Sequence, residues 1–138
     1  MEKNAVADQL HSAAIHLLRR LRLQDDASGL GPAKLSALSI LVFAGPRSLA
    51  ELAKMEQVKP PTMTRIVNGL ESEGLIKRKT DAHDQRSTQI HATGKAVKIL
   101  AAARVRRVQE LAKRLDGLAR AELLLVQSAA SLIERILR

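Results

Sequence analysis

Lys59-Pro60-Pro61-Thr62-Met63-Thr64-Arg65-Ile66-Val67-Asn68 sets a proline pair, two hydroxyls, a guanidinium and an amide in close succession. Proline is tolerated in the first turn of a helix, so Pro60-Pro61 opens one. The front of such a helix offers backbone N–H groups and a positive dipole end, both suited to phosphate. Thr62 and Thr64 add hydroxyls near that end, and Lys59 stands just before it. The guanidinium of Arg65 can fork onto a guanine edge or clamp a phosphate, and Asn68 has the groups to read an adenine. Capping of the helix by Thr62 and simple solvation of Arg65 are the plainer readings. Neither explains why Lys59, Arg65, Lys77, Arg78 and Lys79 gather in one supersecondary unit.

The helix leads into a hairpin. Residues 75–80 read as a strand, 81–86 as a polar turn and 87–92 as the returning strand. Arg86 in that turn suits a narrow minor groove, where the potential is most negative. Asp84 repels phosphate, so its expected role is to orient Arg86 or Arg78 through a charge-assisted bond. The candidate contact set is Ser48, Lys59, Pro61, Thr62, Thr64, Arg65, Asn68, Lys77, Arg78, Gln85 and Arg86, with Asp84 as the orienting residue.

The remaining elements must hold this unit in place. Residues 4–23 carry Val6, Leu10, Ala13, Ala14, Leu17, Leu18 and Leu21 at helical spacing, and 24–29 form a polar loop. Gly31-Pro32 opens a second helix with Leu35, Leu38, Ile40, Leu41 and Phe43, which stops at Gly45-Pro46. Ser48-Leu49-Ala50-Glu51 is a capping box that starts a short third helix with Leu49, Leu52 and Ala53 inward. In the fourth helix Ile66, Val67 and Leu70 face the core, and Gly74 ends it. Thr93 caps a long fifth helix, Asp116-Gly117 breaks it, and a sixth follows with Leu125, Leu132, Ile133 and Ile136.

This is one mainly α domain with a small β-hairpin (α+β) over residues 1–138. Residues 33–92 form the central unit, and 4–23 and 93–138 form helices too apolar and too long for so small a globule. Two chains packing those helices together would bury the excess, so a homodimer is expected. A symmetric reader of duplex DNA needs two copies in any case.

Composition points the same way. The net charge is +9, which implies a polyanionic partner, with nucleic acid ahead of a membrane. Phe43 is the sole aromatic residue, so the core is built from aliphatic side chains. There is no cysteine, which removes disulfides and thiol chemistry. No apolar run reaches transmembrane length and no signal peptide precedes the first helix, so a cytoplasmic, nucleoid-associated protein is expected. His11 and His16 lie five positions apart, not the four of a helical metal site, and read as surface or interface residues. No phosphate loop, nucleophile elbow or catalytic carboxylate pair is present, so neither an enzyme nor a cofactor is expected.

Taken together, Gly45-Pro46-x-Ser48-Leu49-x-Glu51-Leu52-Ala53, Pro61-Thr62-Met63-Thr64-Arg65-Ile66-Val67-x-x-Leu70-Glu71-x-x-Gly74-Leu75-Ile76-x-Arg78 and Asp81-x-x-Asp84-x-Arg86 resemble the multiple antibiotic resistance regulator (MarR) family. The resemblance implies a winged helix-turn-helix, homodimeric through its N- and C-terminal helices. It implies a sequence-specific transcriptional regulator, expected to repress from a pseudopalindromic operator. Helix 61–73 would enter the major groove and wing 75–92 the minor groove, with release often by a small aromatic or anionic effector. The sequence departs from the family pattern at Ala82, Gln85 and Ala92-Thr93-Gly94. A winged-helix protein–protein adaptor without DNA binding is the alternative reading.

Overall fold

The computed structural model describes residues 2–80, 83 and 87–138. Asp84, Gln85 and Arg86, together with the departure noted at Ala82, lie outside the described residues. In chain order the elements are α1 (Lys3–Arg22), a 3₁₀ turn (Leu23–Ser28), α2 (Pro32–Phe43), α3 (Leu49–Met55), α4 (Pro60–Ser72), β1 (Ile76–Thr80), β2 (Thr88–Ala92), α5 (Gly94–Leu115) and α6 (Arg120–Leu137).

The local signals act as expected at most boundaries. The Ser48 hydroxyl accepts from the Glu51 amide at 3.1 Å while the Glu51 carboxylate accepts from the Ser48 amide at 3.3 Å, so the capping box forms. Thr93 caps α5 by accepting from the Ala96 amide. Both helices of the central pair end in the same six-residue motif, which places one residue in the left-handed region. At the end of α4 that residue is Gly74, with φ of 74°. At the end of α3 it is Gln57, with φ of 58°, where the Val58 amide reaches back to the Ala53 carbonyl at 3.0 Å. A side chain there carries a cost of about 1 kcal/mol that a glycine would not.

α2, α3 and α4 enclose an aliphatic core of Leu35, Leu38, Leu41, Leu52, Met63, Val67 and Leu70. α5 closes it with Ala96 and Leu100. Ile66, expected to face this core, packs against it half-buried, and Met63, which was not expected there, is completely buried. β1 and β2 pair antiparallel, with Ile76 opposite Ala92 and Arg78 opposite Ile90. The hairpin is rooted by Leu75, Ile76 and Ile90, all out of water. The return strand is further tied by the backbone of Arg47, which exchanges hydrogen bonds with Ile90 at 2.8 and 3.3 Å. Thr93 completes the root: its amide donates to the Leu75 carbonyl and its hydroxyl to that of Gly74.

The connection after α1 is not the plain polar loop expected. It winds as a 3₁₀ turn, and Asp25 within it is buried. Arg107 of α5 donates to both carboxylate oxygens, with Nε at 2.8 Å from Oδ1. The neighbouring Arg106 donates to the Gln24 carbonyl. The hydrogen bond to Asp25 raises Arg107 above its usual pKa, against the opposing effect of burial. A buried carboxylate demands such a partner.

By contrast, α1 and α6 contain no buried residue. The chain presents 10268 Å² of accessible surface, where a compact monomer of this mass would present about 7,000 Å². Much of the excess is apolar, including Leu17, Leu18, Val108, Leu124, Leu125 and Ile136.

Arg107→Ala should strand the Asp25 carboxylate in a largely apolar site and lower stability by about 2 kcal/mol. Urea unfolding followed by circular dichroism measures this, and an unshifted midpoint would contradict the role given to the pair.

Candidate nucleic-acid interface

Burial of Met63, Val67 and Leu70 along one face of α4 turns the opposite face to solvent. Pro61, Arg65 and Asn68 lie on that outward face, and all three are exposed. Among the described residues Arg65 makes no ion pair. The same holds for Lys59, at the N-cap of α4, and for Lys77 and Lys79 on β1; all three are exposed. No carboxylate among the described residues neutralises these cations.

The front of α4 differs from expectation in one respect. It does not offer free backbone N–H groups to a phosphate. Pro60 and Pro61 have none to give. The next two, on Thr62 and Met63, both donate to the Lys59 carbonyl, at 3.0 and 3.2 Å. Any phosphate contact here falls to side chains, helped by the dipole end.

The hydroxyls also divide differently. Capping was the stronger plain reading for Thr62, yet α4 has no side-chain cap and Thr62 is exposed. It is Thr64 that bonds within its own helix, donating to the Pro60 carbonyl at 3.0 Å. Ser48 is half-buried and serves as the cap of α3; its hydroxyl proton stays available.

Asn68 and Arg78 are not independent. Arg78 Nη2 donates to Asn68 Oδ1 at 2.6 Å, and its Nε lies 3.3 Å from the Glu71 carboxylate. The guanidinium thus bridges the outer face of α4 to the first strand of the hairpin. Asp84, expected to orient Arg86 or Arg78, lies outside the described residues; among those described, Glu71 and Asn68 hold Arg78. On the other flank of α4, Lys34 runs past Gly69 to reach Glu73 at 3.1 Å. A Cβ at position 69 would meet the Lys34 side chain at 2.8 Å, so the glycine leaves room for it. Lys95 of α5 donates to the Glu73 carbonyl at 2.8 Å. Sequence reasoning missed Glu71, Glu73, Lys34 and Lys95 as positioning residues. The spacing of three between Asn68 and Glu71 was the only local signal, since it places them side by side on one helix.

A second concave feature lies away from this face. A cavity of about 350 Å³ opens between α2, α5 and the 3₁₀ turn, lined among others by Asp25, Leu35, Phe43, Leu100, Arg104 and Arg107. The single aromatic ring of the chain, Phe43, is largely exposed and stands on its wall. Arg107 is engaged by Asp25, whereas Arg104 has no ion pair among the described residues. His11 and His16 are exposed on α1, and no helix among the described residues is long and apolar enough to cross a membrane.

This geometry has known counterparts. The sequence profile of the MarR family matches residues 30–88. An HTH-type transcriptional regulator of Mycobacterium bovis is 34% identical over 128 residues, which span 93% of this chain and 90% of that protein. The crystal structure of a transcriptional regulator from Thermotoga maritima superposes with a TM-score of 0.85 at 22% identity, covering 97% of this chain and 94% of its own. A mutant of S. aureus MepR bound to an oligodeoxyribonucleotide superposes with a TM-score of 0.72 at 17% identity, covering 96% of this chain and 98% of that one. The fold is thus the winged helix-turn-helix, with the β1–β2 hairpin as the wing.

Proposed function

The chain belongs to the MarR family of DNA-binding transcriptional regulators, and on that footing we propose that it reads a pseudopalindromic operator as a homodimer and represses from it. In this reading α4 enters the major groove and the wing lies at the adjacent minor groove. The observation that carries it is the set of cations without an ion pair among the described residues: Lys59 and Arg65 at the outward front of α4, and Lys77 and Lys79 exposed on the adjoining strand of the wing. An exposed group of like charges repels itself unless a polyanion satisfies it. The DNA-bound S. aureus MepR relative, which shares the fold, supports the assignment. No catalytic role is proposed, and the site of action is the cytoplasm.

The dimer reading rests on surface. α1 and α6 contain no fully buried residue within the chain, and the accessible surface exceeds that of a compact monomer by about 3,000 Å². Obligate dimers hide apolar area on this scale. A two-fold pair built on α1, α5 and α6 would carry two α4 helices, and a dimeric reader matches two half-sites to them. The cavity beside Arg104 fits a small anionic effector: Arg104 supplies the charge, and Phe43 and Leu100 supply an apolar wall.

Operator affinity should fall steeply with salt, with a slope of about −0.9 per neutralised phosphate in a plot of log affinity against log salt concentration. Arg65→Ala should cost about 1–3 kcal/mol and relax base preference. A flat salt profile in fluorescence anisotropy would instead favour a protein–protein adaptor. A chain ending at Asp116 should be monomeric by light scattering and bind DNA poorly; a persistent dimer would remove α6 from the interface. Benzoate should raise the melting temperature of the intact chain and not that of Arg104→Ala. An equal shift in both would place the anion elsewhere.

A further inference from the structure

We infer that α5 carries a second DNA-binding surface, a cationic stripe that holds the phosphate backbone of a duplex other than the one read by α4. α5 bears seven cations and one carboxylate, Glu110. Helical period sorts its residues into three stripes. Ala96, Leu100 and Ala103 are buried, and Arg107 and Glu110 continue that line. Arg107 is engaged by Asp25, and Glu110 by Arg114. Val97, Val105 and Val108 form a second line, exposed and apolar like the faces of α1 and α6. The third line runs through Lys95, Lys98, Ala102, Arg106, Gln109 and Lys113, at spacings of three and four.

This third stripe holds four cations and no acid. None of the four has a carboxylate within ion-pair distance among the described residues. Lys98 and Lys113 are exposed. Lys95 donates to the Glu73 carbonyl at 2.8 Å and Arg106 to the Gln24 carbonyl at 3.3 Å. A carbonyl orders a cation but leaves its charge in place. A second copy of the chain packed on this stripe would have to strip water from cations that have no carboxylate of their own, which is costly. The apolar line is therefore the one a partner chain covers, and the cationic line stays open.

At about 1.5 Å per residue the stripe spans about 27 Å from Lys95 to Lys113. Its first end meets the end of α4, through Lys95. Beyond Ala103 the helix leaves the α2–α4 core and packs on the 3₁₀ turn and α1, where Arg106 bonds. The far half of the stripe thus stands on the scaffold, away from the reading helix, where a separate duplex has access. Between the cations lie only Ala102 and Gln109, so the stripe has no large apolar side chain to sink into a lipid layer. A straight row of cations suits a stiff row of phosphates, and such contacts carry no sequence information. A dimer with its α4 helices in one duplex could then gather a second.

The test uses two duplexes of about three helical turns each. The first, bearing a donor dye, is the sequence that the full-length chain enriches from a random library. The second, bearing an acceptor dye, is of mixed sequence. With the α4 sites saturated by the first, micromolar chain at low salt should bring the second alongside and give energy transfer. Lys98→Gln combined with Lys113→Gln should lower that transfer about tenfold and leave affinity for the first duplex unchanged. Lys98→Arg with Lys113→Arg should restore it, since only the charge is required. Lys59→Gln with Arg65→Gln should still bind the mixed-sequence duplex, with a log–log salt slope of about −3. No transfer with the unaltered chain, or transfer that survives the paired Gln variant, would overturn the inference. An equal loss on the first duplex would place the stripe on the DNA that α4 reads and overturn it as well. Phosphatidylserine vesicles that sediment with the unaltered chain but not with the paired Gln variant, in the absence of transfer, would assign the stripe to a membrane instead. If the library yields no preferred sequence, the groove reading of α4 fails, and the loss of mixed-sequence binding in the paired Gln variant still decides the stripe.

Discussion

Met63, Val67 and Leu70 are completely out of water, and that seam fixes where every other residue of α4 points. The spacings of four and three align them on one stripe of the helix. Once the stripe is sealed against Leu38 and Leu52, the helix has no rotational freedom. Arg65 is then obliged to stand on the far side, in solvent, whatever its own preferences. A reading surface made of side chains needs such a constraint, because a small roll of the helix would carry each group past its target. The core that supplies it is aliphatic throughout, so orientation depends on interdigitated branched side chains rather than on stacked rings.

Polar contacts refine what the seam sets. Lys34 on Glu73, Lys95 on the Glu73 carbonyl and Arg78 on Glu71 all act on the C-terminal half of α4, which is also the half nearest the wing. As exposed pairs they add little stability individually. Their effect is geometric: they tie α4 to α2, α5 and β1 at once. The N-terminal half is left with unpaired cations. Around α4, the carboxylates of Glu71 and Glu73 are thus used for positioning, while Lys59 and Arg65 stay on the outward face. The motif at Gln57 turns the chain from α3 into α4, and the same motif at Gly74 turns it from α4 into β1.

The Asp25–Arg107 pair does a different task. It joins the connection after α1 to the middle of α5, on the edge of the central unit and beside the cavity. Because the carboxylate is buried, the pair is all or nothing: it is made, or Asp25 is left without a partner.

Elements and their ends were legible in the residues because their causes are local. The capping box at Ser48 and Glu51, the cap at Thr93, the prolines opening α2 and α4, Gly74 closing α4 and the break at Asp116-Gly117 all act within a turn of themselves. The outward placement of Arg65 and Asn68 followed from helical period. The unpaired apolar faces of α1 and α6 were likewise visible as stripes. Local reasoning erred where it had the needed facts but weighed them wrongly: two prolines at the front of α4 already meant missing N–H groups, and Met63 was as well spaced for the core as Ile66. What the tertiary structure alone decided was pairing between residues distant in the chain. Asp25 meets Arg107 from 82 positions away, Lys34 meets Glu73 from 39, and Arg78 meets Asn68 only because β1 folds back along α4. Composition and period specify which side of an element is apolar, but a hydrogen bond needs atoms within about 3 Å, and only the packed chain brings those atoms together.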